Sequence, residues 1–226
     1  MRKYAVSTFG RNYVVDEGFE ELPQIRYVFI IVTLLLGFIS LFKFLHHFRT
    51  ITVTKEKTCN YFPLSSSAVR IVICYVVSHT IHNLHFADNI YRPVDYFEPK
   101  WLYDRYLFSE MEITFFLNFP ISLCGLIFMQ QFVTASSKRN YPQISASCKK
   151  MTFYIIGSFL TLGHYRIEPP WKYSAFVNFT IAGEGVATLL LAVWLYKYHK
   201  KTVRMSESDV EEDSLQLLNQ GHSKSL

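Results

Sequence analysis

The segment Val76 to Ile90, VVSHTIHNLHFADNI, carries three histidines (His79, His82, His85) and an aspartate, Asp88, at the far end of an uncharged apolar run from Ile71. Imidazole and carboxylate at this density can do three things. They can hydrogen-bond helix to helix as buried structural groups. They can ligate a metal ion, since they are the zinc and iron donor set. They can hold or transfer a proton, or face a cation, in a low-dielectric cavity walled by aromatic rings. Spacings of three keep the histidines on one broad side of a helix, and Asp88 continues the series. Ionisable groups at membrane depth are expensive and gather where a bundle interior or cavity uses them. Glu110, Glu112, His164 and Glu184 add further titratable groups in or beside other apolar runs.

The elements that position these residues read as membrane helices. Half of the 226 residues are hydrophobic and 17% are aromatic, with 20 Phe and 15 Tyr. That composition suits a lipid-facing surface with aromatic belts better than a soluble domain. The net charge of +5 sits in short clusters between apolar runs, which argues against a nucleic-acid partner. The cysteines Cys59, Cys74, Cys124 and Cys148 form no CxxC pair and no disulfide-scaffold spacing, and no HExxH motif is present. No metal or other cofactor is expected. The opening MRKYAVSTFGRNYVVDEGFEEL is polar and mixed in charge, unlike a signal peptide.

The expected fold class is all-α: a polytopic membrane protein with five transmembrane helices. Residues 1–26 form an exterior or lumenal segment, 27–45 the first span, 67–198 a four-helix membrane domain, and 199–226 a tail. Within the domain the second to fifth spans are the apolar runs Ala68 to Ala87, Ile113 to Val133, Met151 to Tyr165 and Tyr173 to Tyr196. The fourth is short of the roughly 20 residues a span needs and must draw on its flanks. Pro120 predicts a kink in the third. Lys138, Arg139, Lys149 and Lys150 fill the loop before the fourth. Lys and Arg favour the first and third loops and the C-terminal edge, which places the N-terminus outside and the tail in the cytosol.

Two further patterns stand out. His85 precedes Glu98-Pro99-Lys100-Trp101, and His164 precedes Glu168-Pro169-Pro170-Trp171, a faint internal repeat of the kind found in membrane folds. The tail SESDVEEDSLQLLN is acidic and reads as disordered. Asp213, Leu217 and Leu218 within it have the form of an acidic dileucine sorting signal for an adaptor protein, and Ser206 and Ser208 precede acids that suit phosphorylation.

The block Glu98 to Phe128, EPKWLYDRYLFSEMEITFFLNFPISLCGLIF, resembles the second helix region of the EXPERA-domain family, which includes a sterol isomerase and the sigma-2 receptor. Ser78-His79 with Asp88 is similar to the first family helix in the receptor, and Ile81-His82 to the same helix in the isomerase. Met111 to Thr114 followed by Phe119-Pro120-Ile121-Ser122-Leu123 is more like the isomerase. The resemblance covers Ser67 to Tyr198. The chain departs from the pattern at Phe86, where the isomerase has a glutamate, and in the last helix, where Ile181 and Glu184 stand roughly in place of an asparagine and a tryptophan.

The resemblance implies a four-helix EXPERA-like bundle with one extra helix ahead of it, holding a sterol or related lipid. Its enzymatic form is a sterol double-bond isomerase with His82 and Glu112 as the proton-transfer pair. His79, His85, Asp88, Trp101, His164 and Glu184 would line the substrate site, Asp88 and Glu184 stabilising a cationic intermediate. Cationic amphiphilic amines are expected ligands. Its non-catalytic form is a lipid sensor or trafficking adaptor. A metal-dependent membrane hydrolase using His79, His82, His85 and His164 is the alternative from a different class. The family points to the endoplasmic reticulum membrane and the tail signal to endosomes or lysosomes.

Overall fold

Alternating apolar runs and breaker residues set the helix boundaries. The computed structural model describes residues 3–8, 11–16, 23–53, 64–92, 110–167 and 169–223, with side chains described at 24–44, 46, 64–92, 112–166 and 169–205. A hairpin comes first, the one departure from helix and turn among the described residues. Strand β1 (Lys3–Thr8) pairs antiparallel with β2 (Arg11–Asp16), and β-branched and aromatic positions share its register, Tyr4 with Val15 and Val6 with Tyr13.

Five long helices follow among the described residues: α1 (Pro23–Val53), α2 (Ser66–Tyr91), α3 (Glu110–Ser137), α4 (Tyr141–Phe159) and α5 (Ala175–Ser223). Three of the starts carry side-chain caps. Ser65 Oγ accepts from Ala68 N–H at 3.2 Å ahead of α2, and Ser174 Oγ from Val177 N–H at 3.2 Å ahead of α5. Before α4, Asn140 Oδ1 accepts from Gln143 N–H at 3.1 Å with a proline in the first turn. Helix α4 therefore begins ten residues earlier than Met151, and Lys149 and Lys150 lie on it instead of in a loop. The α3–α4 connection is a tight turn in which Arg139 takes φ 52°, the left-handed conformation common after a helix C-terminus. Helix α3 runs on through Pro120. The backbone of α5 continues to Ser223, through the stretch whose composition reads as disordered.

Successive helices are antiparallel. Phe44 meets Tyr75, Gly37 faces Asn83, His79 reaches Ser122, Lys150 reaches Gln131, and Ser145 reaches His199. Helix α2 packs on α1, α3 and α5, and α4 packs on α3 and α5. The last four helices thus close a ring, with α1 outside α2 and stacked on α3 through Phe29 and Phe115, 4.1 Å between centroids. Small residues allow the closest approaches. A Cβ on Gly125 would meet the Tyr154 ring at 2.5 Å, and one on Gly185 would meet Leu162 at 2.8 Å.

Among the described residues, three helices are long and apolar enough to cross a membrane, at Gln24–Phe44, Glu112–Ser137 and Ala175–Met205. The protein is membrane-associated. Helices α2 and α4 are less apolar because they turn polar residues inward: Ser78, His79, His82, Asn83 and His85 on α2, Ser147 and Ser158 on α4. Both still present large apolar side chains outward, Ile73, Val77 and Leu84 on α2 and Phe153 and Ile156 on α4.

The interior is zoned. Tyr75, Met129, Phe132, Met151, Tyr154 and Leu191 form an apolar core towards one end. Smaller clusters, Ile90 with Phe115 and Tyr173 with Val177 and Ile181, lie towards the other. Between them sits a layer of polar side chains.

Candidate functional site

The polar layer is built from all four ring helices and the turn that follows α4. Three-residue steps on a helix each rotate a side chain by about 60°, so His79, His82 and His85 fan across more than one neighbour. His79 faces α3. Its Nε2–H donates to the Ser122 carbonyl at 3.1 Å, and Asn83 Nδ2 donates to its Nδ1 at 3.2 Å. Asn83 also donates to the His79 carbonyl, and Ser122 Oγ reaches the side-chain oxygens of Asn83 and Asn118. With Nε2 donating and Nδ1 accepting, His79 is a neutral imidazole committed to joining α2 to α3.

His82 and His85 face α5. His82 Nδ1–H donates to Glu184 Oε1 at 2.5 Å, and Thr161 Oγ donates to the same oxygen at 3.0 Å. Both His82 and Glu184 are fully buried. The remaining polar atom of each, His82 Nε2 and Glu184 Oε2, has no hydrogen-bond partner among the described residues. Buried polar atoms are rarely left so, and here two belong to one acid–base pair. Phe86 lies 4.7 Å and Tyr154 5.8 Å from the His82 ring, centroid to centroid.

One turn on, His85 Nδ1–H donates to Thr180 Oγ at 3.2 Å, while Thr180 spends its own proton on the Val177 carbonyl. The His164 ring stands 5.5 Å from that of His85. His164 sits in a single helical turn, His164–Ile167, after the 3-10 turn Leu160–Gly163. Two tyrosines fasten this turn to the start of α5: Tyr173 OH donates to the His164 carbonyl and Tyr165 OH to that of Asn178. Gly185 lets Leu162 lie against α5, so Thr161 can reach Glu184. On the other side of the pair, Ser78 Oγ joins Tyr154 OH at 3.2 Å and Thr188 Oγ at 2.8 Å.

Of the residues singled out from sequence, the structure brings His82, His85, His164 and Glu184 together and sets His79 beside them on the α3 side. Asp88 lies elsewhere. It has completed the turn away from His79 and makes a two-oxygen ion pair with Arg92, 2.7 Å at the shortest, at the end of α2. Glu112 is half-buried in the first turn of α3, roughly 15 Å of helix before Ser122; the carboxylate that meets His82 is Glu184. Trp101 lies outside the described residues, as do the side chains of Glu110, Asp213, Leu217 and Leu218. Trp171, in the second copy of the repeat, is 82% exposed.

The hydroxyl partners Thr161, Thr180, Thr188 and Tyr154 are not evident from the sequence, and Ser78 enters there only beside His79. A signal for part of the set was present: Thr180, Glu184 and Thr188 recur at four-residue spacing on one face of an apolar helix. Among the described residues, no three His, Cys, Asp or Glu side chains are disposed to hold a metal ion. No family model, curated protein or solved structure matches the chain.

Proposed function

We propose that the chain is a five-span membrane protein that binds a sterol or related lipid, with the His82–Glu184 pair receiving the lipid's polar or cationic part. The observation that carries this reading is the pair itself. An acid and a base meet inside an apolar bundle, each with one polar atom uncommitted, flanked by the aromatic faces of Phe86 and Tyr154. Such a site suits a hydroxyl, an amine or a developing carbocation on a rigid apolar ligand.

The alternation of helix direction and the outward apolar side chains on α2 and α4 support the reading of five spans. The resemblance points to the endoplasmic reticulum, and the placing of Lys and Arg to a lumenal N-terminus and a cytosolic tail; the dileucine pattern of the tail offers endosomes or lysosomes instead. The catalytic form is a double-bond isomerisation. One member of the pair gives a proton to a ring alkene carbon, and a base removes one from a neighbouring carbon, so the double bond moves and no co-reactant is consumed. Glu184 takes the role that the sequence pattern alone gives to Glu112. The non-catalytic form, a lipid sensor or trafficking adaptor, uses the same pair.

The test is expression in a cell lacking its own sterol isomerase, with the ring double bond followed by mass spectrometry. Conversion lost in Glu184→Gln and kept in Glu112→Gln supports the isomerase. Absence of conversion, with saturable binding of a tritiated cationic amphiphilic amine that Glu184→Gln removes, supports the non-catalytic binder. Neither conversion nor binding by folded protein ends the reading.

A further inference from the structure

At the end of the bundle away from Asp88 and Arg92, cations collect with no acid among the residues whose side chains are described. Arg70 and Lys197 both lie over the Trp194 ring, at 4.7 and 5.4 Å. Beyond them on α5, Lys197, Lys200, Lys201 and Arg204 line an open recess of about 540 Å³. Lys200, Lys201 and Arg204 make no ion pair with any described residue. Tyr196 is shared between this recess and a second groove of about 300 Å³ between α4 and α5. That groove is floored by Ile155, Ala192 and Leu195, with Lys149 and His199 at its rim.

A basic recess joined to an apolar groove is complementary to an amphiphile with an anionic head. We propose that this end of the protein binds an anionic phospholipid, the phosphates of its headgroup on Lys200, Lys201 and Arg204 and the first part of an acyl chain in the α4–α5 groove. The position argues for a lipid over a soluble phosphate. The recess lies at the end of the apolar stretch Ala175–Met205, and exposed Leu189, Leu190 and Val193 continue the apolar surface one to two turns back. Basic clusters immediately beside a membrane helix attract acidic headgroups by an increment for each Lys or Arg. The proposal is independent of the ligand at His82 and Glu184, which lie deep in the bundle.

The experiment is native mass spectrometry of the purified full-length protein, with phosphatidylinositol bisphosphate competing against phosphatidylcholine. Wild-type protein retains the anionic lipid in preference, and raised salt weakens it. Lys200→Gln/Lys201→Gln/Arg204→Gln lowers that affinity by about a hundredfold at low salt, leaving phosphatidylcholine retention unchanged. Ile155→Trp, which fills the groove, lowers it without touching a charge. Equal retention of the two lipids by wild type, or an unchanged triple variant, overturns the proposal. So does full displacement of the lipid by soluble inositol phosphate at equal concentration, since that would make the acyl groove irrelevant.

Discussion

His82 and Glu184 are 102 residues apart in the chain and 2.5 Å apart in space. Neither is exposed, so the contact sets the loss of water at two polar groups against one short hydrogen bond. Removing one partner strands the other. Glu184→Ala is expected to destabilise the protein by about 3–5 kcal/mol, whereas His82→Leu with Glu184→Leu together restores most of that loss. Thermal unfolding of the purified protein in detergent, run as a double-mutant cycle, measures both; an additive double mutant would mean that the two residues do not act as a pair.

Asp88 and Arg92 make the contrasting case. Their side chains are 13% and 31% exposed and four residues apart on one helix, so solvent reaches this pair and not the other. Asp88→Asn is expected to cost less stability than Glu184→Ala and to leave amine binding at the His82 site unchanged. A large loss of binding in Asp88→Asn would return Asp88 to the site.

How far the site was legible follows from these two pairs. The histidine-rich helix and the approximate extent of the apolar runs could be read directly, because hydropathy and local spacing carry them. The start of α4 could have been read better, since Asn140 followed by Pro142 is a helix-start signal upstream of the apolar run. The division of labour within the histidine series could not be read, because a three-residue step turns each ring away from the last. Nor could Glu184 be chosen over Glu112. Both are acids in apolar helices, and which one meets His82 is fixed by the antiparallel register of α2 on α5, set over a long stretch of chain.

His79 illustrates a histidine whose hydrogen bonds are spent on structure. With Ser122 and Asn83 satisfying both nitrogens, His79→Ala should lower stability by about 1–3 kcal/mol by leaving those groups unpaired. Amine affinity per folded molecule should not change. Measuring unfolding and binding on the same preparation separates this from His82→Ala, in which both should fall.

Close packing predicts a further stability effect. Tyr154 is fully buried, bonds Ser78 and borders His82, and its ring would lie 2.5 Å from a Cβ at position 125. Gly125→Ala must push the ring towards the polar layer, at a cost of about 1–3 kcal/mol. Reduced amine affinity should accompany the lower melting temperature. An unchanged melting temperature would mean that α3 and α4 are less tightly apposed.

The alternation of helix direction makes a prediction about sidedness. Contacts of Arg70 with Trp194, Lys150 with Gln131 and Ser145 with His199 gather one set of helix ends; Asp88 with Arg92 and Arg92 over Phe176 mark the opposite set. If α2 and α4 span the bilayer, the 93–109 connection and the Arg139 turn must lie on opposite sides, with the basic end cytosolic. An N-glycosylation acceptor inserted in the 93–109 connection should therefore be modified in cells, and one inserted beside Arg139 should not. Modification beside Arg139 alone would invert the orientation, and modification at neither position, in protein that inserts, would mean that α3 does not carry the chain across the bilayer.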